Sequence, residues 1–398
     1  MSASRAALRI LYVAPGVRVP GQDGGSSHTA ALTRALARRG HLVNAFVRGV
    51  GDEHRDGVLW VRRRGLFEQR YLEWTAASAV AAEVRRCRAE VVVERYSSFG
   101  GAGVRAAARL GLPALLEVNS PAFDPPESLR GRIDGWIPGR PVHRYREWVL
   151  DHAAFVYATS PHLVAPERRG ARFRTVTNGF DPERFRPDGE RAELGFPPHT
   201  MVFVLVSSFR GWHGARELVE AGGRLAARGR RDFALALVGD GPERAPALAL
   251  AERHGLRERV WAPGAVSPSR VPEILRGAHV GVAPFATARH PDLAIGFFWS
   301  PIKLFEYMGT GLPVITTRLD ALERCVRHGV EGLLIGDGAV DELAAAMERL
   351  LDDRACARAM GAAARARALA EFTWDAQARV VEDLAQRAVV AFASSPRR

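Results

Sequence analysis

The sequence predicts an α/β protein built from two doubly wound parallel sheets. Three observations carry this. The chain has 398 residues, more than one hydrophobic core usually supports. Short runs rich in Val, Leu and Ile alternate with stretches of helical periodicity, at the intervals of strand–helix–strand units. The alternation then starts again after a segment dense in proline, glycine and charge at 181–198.

The elements follow in order. LRILYVAP (8–15) is an almost unbroken apolar run, as a strand covered on both faces requires, and it stops at Pro15-Gly16. SSHTAALTRALARRG (26–40) places apolar residues at helical spacing and closes on Gly40. LVNAFVRG (42–49), VLWVRR (58–63), EVVVERYS (90–97), PALLEVNS (113–120), FVYATS (155–160) and RTVTNG (174–179) read as further strands, with helices near 71–88 and 100–110. In the second half MVFVLVSS (201–208), FALALVGDG (233–241), RVWAPGAV (259–266), HVGVAPF (279–285), LPVITT (312–317) and GLLIG (332–336) repeat the scheme, and a last helix covers roughly 374–392. The expected division is 1–186 and 187–375, with 376–398 a terminal helix crossing back to the first domain. Two such sheets facing across a cleft would bind ligands at their carboxyl ends.

Composition narrows the partners. Net charge is +12, and it is uneven: residues 1–190 hold 29 arginines against 20 acids, the remainder 27 basic against 24 acidic residues. The arginine clusters at 62–65 and 85–88 lack interleaved aromatics, so no nucleic-acid partner is expected. An anionic acceptor or peripheral contact with a membrane surface stays open. No run approaches the ~18 apolar residues of a membrane span, and the amino terminus does not read as a signal peptide. Cys87, Cys325 and Cys356 are scattered without metal or disulfide spacing, which suits a reducing cytoplasm. The chain is expected to be cytoplasmic, with no metal and no resident cofactor.

The 56 basic residues are 55 arginines and one lysine, Lys303, inside FFWSPIKLFEYMGTGLPVITT (297–317). An ammonium kept where every other position uses guanidinium suggests a place too narrow for arginine. It stands three residues before Glu306, at the start of an apolar helix. Ser300 and the amides near Ile302 and Lys303 would form a helix amino terminus, an anion site by backbone geometry. Glu306, one turn on, could accept from a vicinal diol.

Other stretches add candidates. APGVRVPGQDGGSSHTAALTRALARRGHLV (14–43) sets Gly24-Gly25 ahead of a helix, either an ordinary turn or a place for an anion. VSSFRGWHGARELVEA (206–221) contains Arg210, a permanent cation able to fork phosphate oxygens, and His213, a donor or a solvated loop residue. LVGDGPE (237–243) is a glycine turn with Gly239 and Gly241. Glu94, in VVVERYSSFG (91–100), reads equally as an acceptor-facing carboxylate or as an ion pair with Arg95. Asp124 and Glu127, in LLEVNSPAFDPPE (115–127), read as solvated loop acids. The segment 132–155, with Trp136, Tyr145 and Trp148 among arginines, reads as a packed excursion or an acceptor lid.

Taken together, these ordered motifs resemble the retaining GT-B glycosyltransferases of family 4, over residues 8 to about 380. The resemblance implies transfer of a sugar from a nucleoside diphosphate sugar, UDP ahead of GDP or ADP, to an acceptor hydroxyl with retention and without metal. It makes Lys303, Arg210 and Asn119 catalytic. It makes Gly24, Gly25, His213, Gly239, Gly241, Gly264, Val266, Ser300, Ile302 and Glu306 donor-binding, and Ser26, His28 and Glu94 acceptor-binding. Three departures stand out. Phe298 occupies the place of the family's first signature glutamate, as in a sub-branch whose loop reads SP-x-KLFEYM. Ser208 and His213 replace the usual Arg and Lys of the diphosphate loop, and Asn119 replaces a common His. A sugar-nucleotide epimerase of the same shape and a noncatalytic nucleotide-sugar-binding protein are the alternatives.

Overall fold

The computed structural model describes residues 7–21, 24–69, 72–97, 99–123, 129–289, 297–298 and 300–394. Asp124 and Glu127 lie outside them. The chain divides into two units, one formed by 1–178 with 374–398 and the other by 179–373.

Unit 1 contains β1 (Arg9–Arg18), α1 (Gly24–Arg38), β2 (Leu42–Arg48), β3 (Gly51–Arg55), β4 (Val58–Arg63), α2 (Ala77–Cys87), β5 (Val91–Tyr96), α3 (Ala102–Leu110), β6 (Ala114–Val118), α4 (Leu129–Trp136), α5 (Pro141–His152), β7 (Phe155–Ala158) and β8 (Phe173–Thr175). Among the described residues they make an eight-stranded sheet in the order β3-β4-β2-β1-β5-β6-β7-β8. Every pairing is parallel except β3 with β4. The apolar run of β1 has its reason here: Ile10 to Val13 are almost wholly buried because helices cover both faces of the sheet.

The β3–β4 hairpin was not read from the sequence. Its signal was Asp56-Gly57, both with positive φ (55° and 76°), a two-residue turn of the kind that matches strand twist. β3 itself is charged and partly exposed, as an edge strand tolerates.

Unit 2 contains β9 (Met201–Val206), α6 (Ala215–Ala227), β10 (Phe233–Val238), α7 (Arg244–Arg253), β11 (Val260–Gly264), α8 (Val271–Gly277), β12 (Val280–Ala283), α9 (Ile302–Thr310), β13 (Val314–Thr317), α10 (Asp320–Glu323), β14 (Gly332–Ile335), α11 (Val340–Asp352) and α12 (Arg354–Glu371). Its six described strands are parallel, in the order β11-β10-β9-β12-β13-β14. The segment 181–198 is part of this unit, since Phe185 and Leu194 are buried in its core with Phe305 and Met308. The second unit therefore begins at Gly179, ahead of the expected boundary.

The last helix, α13 (Trp374–Ser394), belongs to unit 1. Val381, Leu384, Ala385 and Ala388 are buried with Leu32, Leu36 and the strands of that sheet. Arg38 meets Asp375 at 3.0 Å, and Arg39 Nε donates to Glu382 at 2.5 Å.

Candidate functional site

In unit 2 the sequence candidates gather at the carboxyl ends of β9, β10 and β12. The helix α9 is locked there by shape. Gly281 in β12 has no side chain because a Cβ would overlap the Tyr307 ring, and Gly309 likewise admits Phe180. The Tyr307 oxygen accepts from the Val206 amide at 2.8 Å. This packing carries Lys303 inward. Its side chain is half-buried, its Nζ is shielded from solvent, and the amine has no hydrogen-bond partner among the described residues. It lies 5.5 Å from the ring centroid of Phe285, a weak electrostatic partner. Burial pushes the ammonium down to about 8, with Glu306 acting in the opposite sense.

Glu306 is raised to about 7, first by burial, against the pull of Arg184 and Lys303. Amine and carboxylate stand more than an ion-pair distance apart, so neither neutralises the other by contact. A buried cation without a donor's acceptor is the arrangement expected of an anion site.

His213 comes to the same ring: its imidazole stands edge-on to Phe285 at 6.3 Å. Phe285 was not singled out in the sequence, where a single Phe at the end of an apolar strand is unremarkable. Arg210 is exposed on the same loop and pairs with no carboxylate among the described residues. The loop is held by close backbone approaches. A Cβ on Gly239 would overlap the Ser207 carbonyl and one on Gly241 the Ser208 carbonyl, and both glycines have positive φ. The Gly239 amide donates to the Gly264 carbonyl at 2.8 Å, while Val266 packs half-buried on the core. Between them Phe209, fully buried, has φ 42°, a conformation that costs a non-glycine residue on the order of 1–3 kcal/mol. Such strain is held only where the surroundings over-determine it.

One expectation at this helix needs correcting. The Ile302 amide donates to the Ser300 carbonyl at 3.0 Å. That N–H is spent within the turn. Phe298 is half-buried and offers no acceptor. Among the described residues no cluster of three or more His, Cys, Asp and Glu could hold a metal ion.

In unit 1 the centre is a carboxylate the sequence reading passed over. Glu117, the lone acid of ALLEV, is buried in β6. Tyr12 and Tyr157 hydroxyls donate to Oε2 at 2.7 and 3.0 Å; Arg95 Nη1 and Asn119 Nδ2 each donate to Oε1 at 2.7 Å. His28 Nε2 meets the same oxygen at 2.7 Å, and its Nδ1 lies 2.6 Å from Asn178 Oδ1. Burial would raise Glu117, but His28 and Arg95 outweigh it and hold the carboxyl well below the usual range. Two candidates, His28 and Asn119, are thus oriented by one anion. An acid inside a five-residue apolar strand was the available signal, since it must be paired to be buried.

Two other candidates make local structural bonds. Glu94 is fully buried and accepts from the amides of Gly101 and Val104 at 2.5 and 2.9 Å. It caps the first turn of α3 and does not pair with Arg95, whose guanidinium goes to Glu117. Burial raises it to about 7. Ser26 is also buried, and its Oγ donates to the Arg18 carbonyl at 2.7 Å, closing the loop before α1. Gly24 opens α1, exposed and with free space around it, and no acid stands in that first turn.

Known proteins share both units. The family described as Glycosyltransferase Family 4 matches residues 22–184, and the one described as Glycosyl transferases group 1 matches 200–353. A GDP-mannose-dependent alpha-(1-6)-phosphatidylinositol monomannoside mannosyltransferase of Mycobacterium tuberculosis is 33% identical over 213 residues, 52% of this chain and 53% of that protein. A D-inositol 3-phosphate glycosyltransferase of Nocardia farcinica is 31% identical over 215 residues, 51% and 45% of the two chains. The chain spans about half the length of the curated relatives it matches. Among solved structures, sucrose-phosphate synthase of Thermosynechococcus elongatus superposes with a TM-score of 0.71 at 21% identity, covering 96% of this chain and 100% of that one. HepE of Anabaena, solved in complex with UDP, gives 0.68 at 16% identity, with 94% and 99% covered. These structures share the GT-B fold.

Proposed function

We propose, for a chain that belongs to the GT-B glycosyltransferases, that unit 2 binds a nucleoside diphosphate sugar and that the sugar passes with retention to an acceptor hydroxyl held by unit 1. The observation that carries the reading is Lys303: a shielded amine with no hydrogen-bond partner among the described residues, over the Phe285 ring that His213 also meets and one helical turn from Glu306. Breaking the anomeric bond leaves two phosphates with an extra negative charge. A cation already desolvated and oriented stabilises that charge more than it stabilises the bound donor, and so lowers the barrier.

In this reading Arg210 and His213 take the remaining phosphate oxygens, and Glu306 accepts from the ribose hydroxyls. The departing phosphate takes the proton of the attacking hydroxyl on the same face of the sugar. No metal is required, because fixed cations supply the charge. In unit 1 Asn119, held by Glu117, offers its amide to a sugar hydroxyl, and His28 borders the acceptor. The acceptor is a small molecule, a lipid carrier or a glycan. UDP is the nucleotide expected from the sequence, and the GDP-mannose-dependent relative makes GDP its competitor.

The test is a melting screen with UDP, GDP and ADP, followed by release of the selected nucleotide from its hexose conjugates with and without acceptors. Acceptor-dependent release, with an axial anomeric product from an axial donor by NMR, is the expected outcome. Lys303→Ala should lose about 100-fold or more in turnover. Near-normal turnover by that variant would remove the basis of the reading.

A further inference from the structure

Unit 2 carries a second concentration of unneutralised positive charge, at the opposite edge of its sheet from Lys303. A cavity of about 600 Å³ opens where β9 begins, ahead of β12 and β13 and below the carboxyl end of α9. Arg191, Arg276, Arg354, Arg358 and His279 line it, and no carboxylate does. Several other arginines of the unit are paired, as Arg216 with Glu243, Arg228 with Glu348 and Arg230 with Asp232, while Arg231, Arg253 and Arg259 line a separate cavity.

Arg191 and Arg358 have no acidic partner among the described residues. Arg276 Nε donates to the Glu190 carbonyl at 2.5 Å and Arg354 Nη2 to the His199 carbonyl at 2.7 Å, with Asp232 only at 3.9 Å from Arg354. His279 accepts the Val202 amide on Nδ1 at 3.1 Å, which leaves Nε2 as a donor. Desolvation, then Arg354 and Arg191, lower its pKa, so the imidazole already registers the excess charge.

We propose that this cavity binds a small phosphate-bearing metabolite, of the size of a sugar phosphate or nucleotide, through Arg191, Arg354 and Arg358. Guanidinium groups fork phosphate oxygens, and four of them around one space suit a ligand carrying at least two negative charges; Arg191 and Arg358 are exposed and open to it. The volume falls in the range of small-molecule sites. The site is separate from the donor residues, joined to them only through the length of α9, and does not depend on the catalytic reading.

The experiment is calorimetric titration of the intact protein with inorganic pyrophosphate. Wild type should show two binding events. The double substitution Arg191→Ala, Arg358→Ala should weaken one of them by about tenfold or more per lost charged contact and leave UDP binding in place. Lys303→Ala should remove the other event. A double variant that titrates as wild type overturns the proposal, and so does loss of all pyrophosphate binding in Lys303→Ala alone. Should the double variant misfold, wild-type crystals soaked in tungstate decide: an anomalous peak among these guanidinium groups supports the site, and its absence refutes it.

Discussion

Replacing Lys303 with methionine should make the protein more stable and, on the proposed function, weaken its binding of a nucleoside diphosphate. The structure places the amine where burial lowers it from 10.5 to about 8. At 1.36 kcal/mol per pH unit this is a cost of roughly 3 kcal/mol for keeping the charged form folded. Methionine has a similar length and no charge, so the apolar surroundings at Phe285 should accept it. The gain is smaller than the full cost because Glu306 then loses a favourable neighbour. A net stabilisation of about 1–3 kcal/mol at pH 7 is expected.

The pH dependence has a definite sign. Below about 8 the amine is charged in both folded and unfolded chains, and the penalty is complete. Between about 8 and 10.5 the unfolded chain binds the extra proton, wild type gains stability as pH rises, and the advantage of the variant shrinks. Scanning calorimetry from pH 7 to 10 reads this, and titration with UDP or GDP reads the binding loss. A variant less stable than wild type at pH 7, or one still stabilised by nucleotide to the wild-type extent, would refute the reasoning.

Three further outcomes follow from the same geometry. Glu117→Gln should destabilise unit 1 by about 3 kcal/mol at pH 7, because Arg95 and His28 then face a neutral amide in a buried setting; the depressed carboxyl means the gap should narrow as pH falls below the ordinary carboxylate range, and melting curves from pH 7 to 3 test it. If Glu306 takes its proposed role and binds ribose as the anion, wild-type nucleotide affinity should fall as pH drops through about 7, whereas Glu306→Gln should bind weakly at all pH values by calorimetry. Gly239→Ala forces a Cβ onto the Ser207 carbonyl at a φ of 120°; a loss above about 2 kcal/mol in unit 2, with weakened nucleotide binding, is expected.

The legible parts of the sequence were those where chemistry is local. The runs of β1, β5, β9 and β10 are apolar throughout because both faces of each sheet are covered, and periodicity reports that directly. The hairpin of β3 escaped because a charged edge strand has no apolar pattern, leaving only the Asp56-Gly57 turn to announce it. Glu94 and Glu117 looked alike in the chain, each an acid next to a run of Val or Leu. One became a helix cap and the other the anion of a five-donor network, since the partners come from residues up to 105 positions away.

By itself the sequence determined two parallel-sheet units and the position of one ammonium at the head of an apolar helix. Only the tertiary structure decided that this amine would be shielded and without a hydrogen-bond partner among the described residues, that Lys303 and His213 would both meet Phe285, and that the Ile302 amide would be spent on Ser300. The physical reason is that secondary structure follows from repeating local contacts, whereas desolvation and pairing depend on which distant side chains close around a group.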